Sequence, residues 1–201
     1  MTGQDAVDPI EVVQELRSLL SRHRAADGAE ERSLRRTHQL LKTTGSPFWR
    51  GQYSPGHLTA SAIVVDAART RTLLVHHAKL DRWLQPGGHF EPGEWQPVDV
   101  AAREVREETG LATTWPGALP RLLDVDVHPI PARGQEPAHY HYDLRYLLVA
   151  ADDAEAAPGD GALAVRWVRA SEVDGLDLDP GLKRALRKVW RASGVGSATG
   201  E

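Results

Sequence analysis

Apolar residues recur at three- and four-residue spacing through the first 43 residues of the chain, as they do on one face of an α-helix. These positions are Ile10, Val13, Leu16, Leu19, Leu20, Leu34, Leu40 and Leu41. The stretch 25–29, which contains Asp27 and Gly28, interrupts the pattern. The pattern predicts an N-terminal helical arm over residues 1–44, and the Gly- and Pro-rich stretch 45–57 predicts a linker after it.

Beyond the linker, short β-rich segments alternate with two helical ones. The predicted strands are 58–66 and 72–77, which form a hairpin, then 83–85, 121–128, 139–150 and 162–169, and the predicted helices are 97–109 and 180–191. This order predicts an α+β fold, an α/β/α sandwich in which helices cover a mixed β-sheet over residues 58–192. The Gly- and Ser-rich tail, 193–201, is predicted to be disordered.

Composition narrows the classes of function. The chain has no cysteine, which excludes disulfides, thiolate zinc sites and cysteine nucleophiles, so any metal must be held by oxygen or histidine. Its formal charge of −4 provides no global attraction to nucleic acid, which we do not expect as a partner. Neither a signal peptide nor a membrane-spanning run is present, so we expect a cytoplasmic protein that does not bind membranes.

The helix predicted over 97–109 places three carboxylates together. At about 100° per residue, Glu104, Glu107 and Glu108 share one flank beside a stripe of small apolar residues. Like charges at this spacing repel one another unless a cation neutralises them. Several hard oxygen ligands suit Mg²⁺ or Mn²⁺, which also accept phosphate oxygens. The alternative is a solvated, salt-bridged helix face, which is the usual meaning of a charge run.

The segment before this helix favours the interpretation that the carboxylates hold a metal ion that binds phosphate. Gly87, Gly88 and Gly93 predict a loop whose backbone can approach a ligand closely, and a carbonyl there could reach a metal. Arg103 could hold a neighbouring carboxylate by a two-pronged contact or reach a phosphate.

Together these residues resemble the Nudix box, the signature of the Nudix hydrolase family. The matching positions are Gly88, Glu94, Arg103, Glu104, Val105, Glu107, Glu108, Gly110 and Leu111. Eight residues separate Glu94 from Arg103, where the family pattern has seven, and we expect the loop near residues 95–97 to absorb the extra one. The order of elements from about residue 58 to 191 also resembles the Nudix fold.

The resemblance implies a metal-dependent pyrophosphohydrolase, in which Arg103, Glu104, Glu107 and Glu108 are catalytic. The three glutamates would bind Mg²⁺ or Mn²⁺, with the Gly88 carbonyl as a further ligand, while Arg103 orients a glutamate. The substrate would be a small phosphorylated molecule such as a nucleotide sugar, ADP-ribose, a dinucleotide or a nucleoside triphosphate. Four carboxylates are alternatives for the general base: Glu108, Glu136, Asp143 and Glu172.

A second group of polar residues alternates along the strand predicted over 139–150. His139, His141, Asp143 and Arg145 share one face, which is too polar to be expected in the core. This face could line the substrate cleft, with Arg145 on phosphate and a histidine on a base or leaving group, or it could simply face water. A further alternative makes His139 and His141, with or without His128, ligands of zinc or iron.

Three residues before the glycines complete the candidate substrate contacts. Lys79 and Arg82 could bind phosphate, and Trp83 could stack on a base.

Two rival functions remain. One is a non-catalytic Nudix-like domain that binds a nucleotide as a sensor or regulator; the other, an isomerase of prenyl diphosphates, would need a cysteine that the chain lacks. The helical arm could pack on the domain or form a homodimer contact.

Overall fold

In the computed structural model, residues 8–151 and 155–192 are described. The α-helices are α1 (Pro9–Arg22), α2 (Gly28–Thr43), α3 (Pro97–Thr109) and α4 (Pro180–Ala192), and a 3₁₀ helix spans Ala170–Gly175. The strands are β1 (Gly56–Val65), β2 (Arg71–His77), β3 (Arg82–Leu84), β4 (Gly87–His89), β5 (Thr113–Thr114), β6 (Arg121–Ile130), β7 (His139–Ala150) and β8 (Ala162–Arg169). Each predicted helix and strand is present with ends shifted by at most two residues, and β1 begins at Gly56, inside the predicted linker. The predicted disordered tail lies outside the described residues.

The strands form one mixed sheet, as predicted. Five strands follow the order β3-β2-β1-β7-β5, while β4 pairs with β1, β6 with β7, and β8 with β2. The long central pair, β1 and β7, is parallel, and the other pairs are antiparallel. The predicted hairpin of β1 and β2 is present where Val65 pairs with Thr72. Upstream of that point β1 pairs with β4, which places Gly87 and Gly88 of the predicted loop in a strand, while Gly93 lies in a turn.

Helices cover both faces of the sheet. On one face, alternate residues of β1, such as Ala60 and Ala62, form a buried cluster with Val105 of α3 and with both arm helices. On the other face, Ile63 and Val65 pack against α4 in a second cluster. Within the described parts of the chain, none of the helices combines the length and the apolar character that crossing a membrane requires.

The arm helices belong to the main core. Leu16 and Leu20 of α1 and Leu40 and Leu41 of α2 are buried in the same cluster as α3. Each helix begins at an aspartate whose carboxylate accepts a backbone N–H: Asp8 caps α1 and Asp27 caps α2. The apolar stripe that predicted the arm is therefore largely covered by the chain's own sheet.

The polar face of β7 departs from the expectation. His139, Asp143 and Arg145 are 6%, 3% and 2% exposed, so the prediction that this face lies outside the core is wrong. The charges can be buried because they are paired with one another and with polar side chains on β1 and β6. Strand alternation located the face, but those partners come from distant parts of the chain.

Candidate functional site

The helix α3 carries the three predicted carboxylates. Pro97 occupies its first turn, where no backbone donor is needed, and Gly110 ends it with a left-handed φ of 71°. Val100, Ala101 and Val105 are buried against the sheet. This packing leaves Glu104, Glu107 and Glu108 on the flank toward β4, with Glu107 the exposed member of the three.

Two glycines of β4 allow the carboxylates to approach the sheet closely. A Cβ at Gly88 would overlap the carboxylate of Glu104, and a Cβ at Gly87 would overlap Ser61 of β1. The Gly87 N–H also donates to Glu108 Oε2 at 3.3 Å. Glycine is thus required here for close packing against the helix and the neighbouring strand.

Arg103 connects the box residues. Its Nη1 lies 3.0 Å from Glu104 Oε1 and 2.9 Å from Glu107 Oε2, and its Nη2 donates to the His89 carbonyl at 2.9 Å. Its Nε and Nη2 also hold both oxygens of Glu94. Although burial opposes the effect, hydrogen bonds from Arg103 and the Glu91 N–H hold the pKa of Glu94 below its usual range. The guanidinium fixes the geometry of three glutamates at once.

Burial and mutual repulsion disfavour the charged forms of two of these carboxylates. Burial raises the pKa of the Glu108 carboxyl to about 8, and the nearby charges of Glu104 and Glu107 contribute to the rise. Burial likewise raises the pKa of Glu104, against the opposing influence of Arg103. Without a cation, burial and repulsion therefore favour the protonated form of the Glu108 carboxyl. A divalent ion would compensate the charge that burial and repulsion disfavour.

On the opposite face of β4 lies a group of histidines. His57 of β1 pairs in register with His141 of β7, and His89 of β4 pairs with Thr59, two residues further along β1. One nitrogen from each histidine lies within 4.8 Å of the others. Burial lowers the pKa of His57 and His89 to about 4 and that of His141 to about 2, so all three rings are neutral at pH 7.

Next to the histidines, Asp143 and Arg145 form part of a buried ionic network. Asp143 accepts hydrogen bonds from Thr59 at 3.1 Å and from Ser61 at 2.7 Å. The three guanidinium nitrogens of Arg145 lie 3.0, 3.4 and 3.2 Å from Asp143, Asp124 and Asp126. These carboxylates engage every nitrogen of Arg145, so the expectation that Arg145 contacts a phosphate is wrong. Arg145 instead stabilises the buried polar face of the sheet.

The remaining predicted contacts lie elsewhere. Lys79 and Arg82 are exposed, after the end of β2 and on β3. Trp83 is partly buried against His76 and the hydrophobic cluster that contains α4. The structure therefore does not bring these three residues together with the carboxylates. Among the alternative bases, Glu172 accepts the Arg169 N–H at the start of the 3₁₀ helix, and Glu136 pairs with Arg50 at 3.4 Å on an exposed loop.

Sequence reasoning assigned neither His57 nor His89 to the site. The signal was present as strand alternation, since His57, Thr59 and Ser61 interrupt an otherwise apolar segment at every second position. What the sequence could not reveal was that β1 lies between β4 and β7, which brings the polar faces of three strands together.

A comparison with family models agrees with the fold and the box. The model described as the NUDIX domain matches residues 55–189, well over half of the chain. This protein therefore belongs to the Nudix family.

Individual relatives show how far the likeness extends. A probable DHNTP pyrophosphohydrolase from Lactococcus lactis subsp. cremoris is 36% identical over 113 residues, which cover 55% of this chain and 64% of the relative. Human diphosphoinositol polyphosphate phosphohydrolase 3-alpha is 44% identical over 62 residues, or 31% of this chain and 32% of the relative. The chain thus spans less than two thirds of the length of either relative.

Among solved structures, a C. elegans Ap4A hydrolase binary complex superposes with a TM-score of 0.53. It is 17% identical in sequence, and the match covers 68% of this chain and 97% of that one. At this identity the match concerns the fold.

Proposed function

We propose that this chain is a metal-dependent pyrophosphohydrolase that cleaves a diphosphate linkage by attack of an activated water. The observation that carries the proposal is the cluster of Glu104, Glu107 and Glu108 on one flank of α3, in which Arg103 holds Glu104 and Glu107 and the Gly87 N–H donates to Glu108. The name of the L. lactis relative, a pyrophosphohydrolase, supports the same reaction. We propose a nucleoside diphosphate derivative as the substrate: a nucleotide sugar, ADP-ribose, a dinucleotide or a nucleoside triphosphate.

The residues present fit a hard divalent cation. The raised pKa values of Glu104 and Glu108 reflect carboxylates that are buried close together, an arrangement that a cation would favour. Glu104, Glu107 and Glu108 would hold Mg²⁺ or Mn²⁺, with the Gly88 carbonyl as a further candidate ligand. When bound, the ions supply charge screening for the phosphates and activation of a water.

The protein's own groups would then orient the reaction. Arg103 is a positioning residue, because it holds Glu104 and Glu107 while Glu94 fixes its guanidinium from the other side. Glu108 is the favoured general base of the four alternatives, since it lies in the cluster. Asp143 is already engaged by Thr59, Ser61 and Arg145.

The rest of the substrate would lie toward the histidine face of the sheet. When no metal ion is bound to the histidines, His139 and His141 are the proposed contacts for a base or leaving group, and Asp143 and Arg145 hold that face in place. Lys79 and Arg82, which are exposed, stay proposed phosphate contacts, with Trp83 as a proposed stacking residue.

The test is product release from a panel of ADP-ribose, a nucleotide sugar, a dinucleotide and a nucleoside triphosphate, with Mg²⁺ or Mn²⁺. Glu107→Gln and Glu108→Gln should each lower turnover by at least about a hundredfold, because each removes a charge on which the cation or the base depends. Glu31→Gln, which changes an exposed glutamate on α2, is the matched control and should behave as the unmodified chain.

Two results would contradict the proposal. Undiminished turnover in both glutamate variants would place the chemistry elsewhere. Tight binding of one panel member without any turnover would favour the non-catalytic sensor.

A further inference from the structure

The histidine face described above has the arrangement of a metal site. His57, His89 and His141 come from three adjacent strands, β1, β4 and β7, and one nitrogen of each lies within 4.8 Å of the other two. Sheet register fixes this convergence, because His57 and His141 are direct partners and His89 pairs two residues further along the same face. Such positions are set by backbone hydrogen bonds and are therefore rigid.

The closest pair already has the spacing of two ligands on one ion. His89 Nε2 and His141 Nε2 share a hydrogen bond and are 3.2 Å apart, so a metal ion bound by both would displace the proton between them. Two imidazole nitrogens, each about 2.0–2.1 Å from a tetrahedral zinc ion, are separated by about 3.4 Å. The third ligand nitrogen, from His57, lies within 4.8 Å of both.

His57 provides a second, independent observation that points to a bound metal ion. It is 1% exposed, and its Nε2 is buried without a hydrogen-bond partner. Its Nδ1 lies 3.1 Å from the Gln52 carbonyl oxygen, which can only accept, so Nδ1 carries the proton and Nε2 presents a lone pair. An unpaired buried nitrogen costs free energy, and histidine ligands of metals commonly donate their other N–H to a carbonyl in this way.

Two further histidines surround the group. His139 Nδ1 donates to the Pro137 carbonyl at 2.8 Å, and its ring stacks on His57 with the centroids 5.1 Å apart. His128 Nδ1 lies 3.1 Å from an Asp126 carboxylate oxygen. The structure therefore groups His141 with His57 and His89, in place of the His139 and His141 pair that the sequence brought forward as zinc or iron ligands.

We propose that His57, His89 and His141 bind a divalent transition-metal ion such as Zn²⁺ at a site separate from the carboxylate cluster. Imidazole nitrogen suits zinc and its neighbours in the first transition row, whereas Mg²⁺ prefers oxygen. Three protein ligands leave a coordination position for water or for a substrate oxygen. The site stands whether or not the chain hydrolyses diphosphates.

Cobalt(II) binding tests the proposal, because its visible absorption distinguishes four-coordinate nitrogen sites from six-coordinate oxygen sites. Chelator-treated protein is titrated with Co²⁺ in the presence of excess Mg²⁺, which occupies the carboxylates. We expect one equivalent with an intense four-coordinate spectrum. His89→Gln and His141→Gln should each weaken binding by at least about a hundredfold, since changes to outer-shell residues alone cost 10–100-fold.

Matched controls separate this site from the other histidines and from the carboxylates. His38→Gln removes a histidine on α2, and Glu104→Gln alters the carboxylate cluster; both should keep the cobalt spectrum. Because either histidine variant could fail to fold, X-ray absorption of the zinc-loaded unmodified chain is the second measurement, with three imidazole nitrogens expected at about 2.0–2.1 Å. An oxygen-only shell, or cobalt binding that is unchanged in both histidine variants, overturns the proposal.

Discussion

Arg103 Nε donates to Glu94 Oε1 at 2.8 Å, and Arg103 Nη2 donates to Glu94 Oε2 at 2.9 Å. This two-pronged pair joins the segment before α3 to the middle of that helix, despite the extra residue between the two positions. The same guanidinium reaches Glu104 and Glu107. One side chain thus aligns two of the three carboxylates that we propose hold the catalytic metal.

The first prediction concerns this alignment. Arg103→Lys should lower kcat by about tenfold or more, with KM little changed, because an ammonium group cannot hold both Glu94 oxygens and two further carboxylates. The measurement is kcat and KM for the substrate that responds in the panel. Arg106→Lys, at an exposed position on the same helix, is the control. A raised KM at unchanged kcat would show instead that Arg103 binds the substrate phosphate.

The second prediction concerns the space at Gly88. In Gly88→Ala the new methyl group would meet the Glu104 carboxylate, so Mn²⁺ affinity should fall by about tenfold or more while the chain stays folded. Electron paramagnetic resonance of free Mn²⁺ measures the affinity. Gly117→Ala is matched, since nothing lies within 4 Å of the added carbon there. Equal Mn²⁺ affinity in the two variants would show that the added methyl group does not displace the Glu104 carboxylate.

The third prediction distinguishes support from substrate binding at Arg145. Its side chain is 3% exposed and ion-paired with three aspartates, so Arg145→Lys should lower the free energy of unfolding by about 3 kcal/mol. Urea denaturation measures this loss. The exposed pair of Arg166 and Glu172 provides the comparison, and Arg166→Lys should cost less than about 1 kcal/mol. Unchanged stability with a raised KM would restore Arg145 as a phosphate contact.

The fourth prediction concerns Glu30, which joins the arm to the domain. The fully buried carboxylate contacts Lys188 of α4 and accepts the Val125 N–H at 3.2 Å. Burial alone would raise its pKa, but hydrogen bonds from His23 and Lys188 lower the pKa from 4.5 to about 2. A depressed folded-state pKa stabilises the fold above pH 4.5, and this contribution is lost as the pH falls toward 2.

Glu30→Gln should therefore lower the free energy of unfolding by roughly 3 kcal/mol at pH 7, and the difference should shrink between about pH 4.5 and 2. Urea unfolding of both proteins at matched pH gives the difference, to which groups that do not contact Glu30 contribute equally. Glu31→Gln, in an exposed pair with Arg35, should differ little from the unmodified chain. A difference in the free energy of unfolding that does not vary with pH would contradict the lowered pKa of Glu30.

Local features of the sequence determined the elements and the box. The 3.6-residue period of α1, α2 and α3, the alternation along β7 and the stop at Gly110 depend on neighbours within a few positions, so they can be read without the fold. The grouping of Glu104, Glu107 and Glu108 follows from helix geometry alone, and the Nudix family followed from the spacing of the same residues.

Tertiary structure decided which distant residues share an environment. Only the placement of β1 between β4 and β7 brings His57, His89 and His141 together, and only the partners on β6 make Arg145 a buried support. Strand pairing joins segments that lie tens of residues apart, and one sequence does not encode that pairing in any local period. The clustering of the carboxylates could be predicted because they lie on one helix, whereas the clustering of the histidines depends on sheet register.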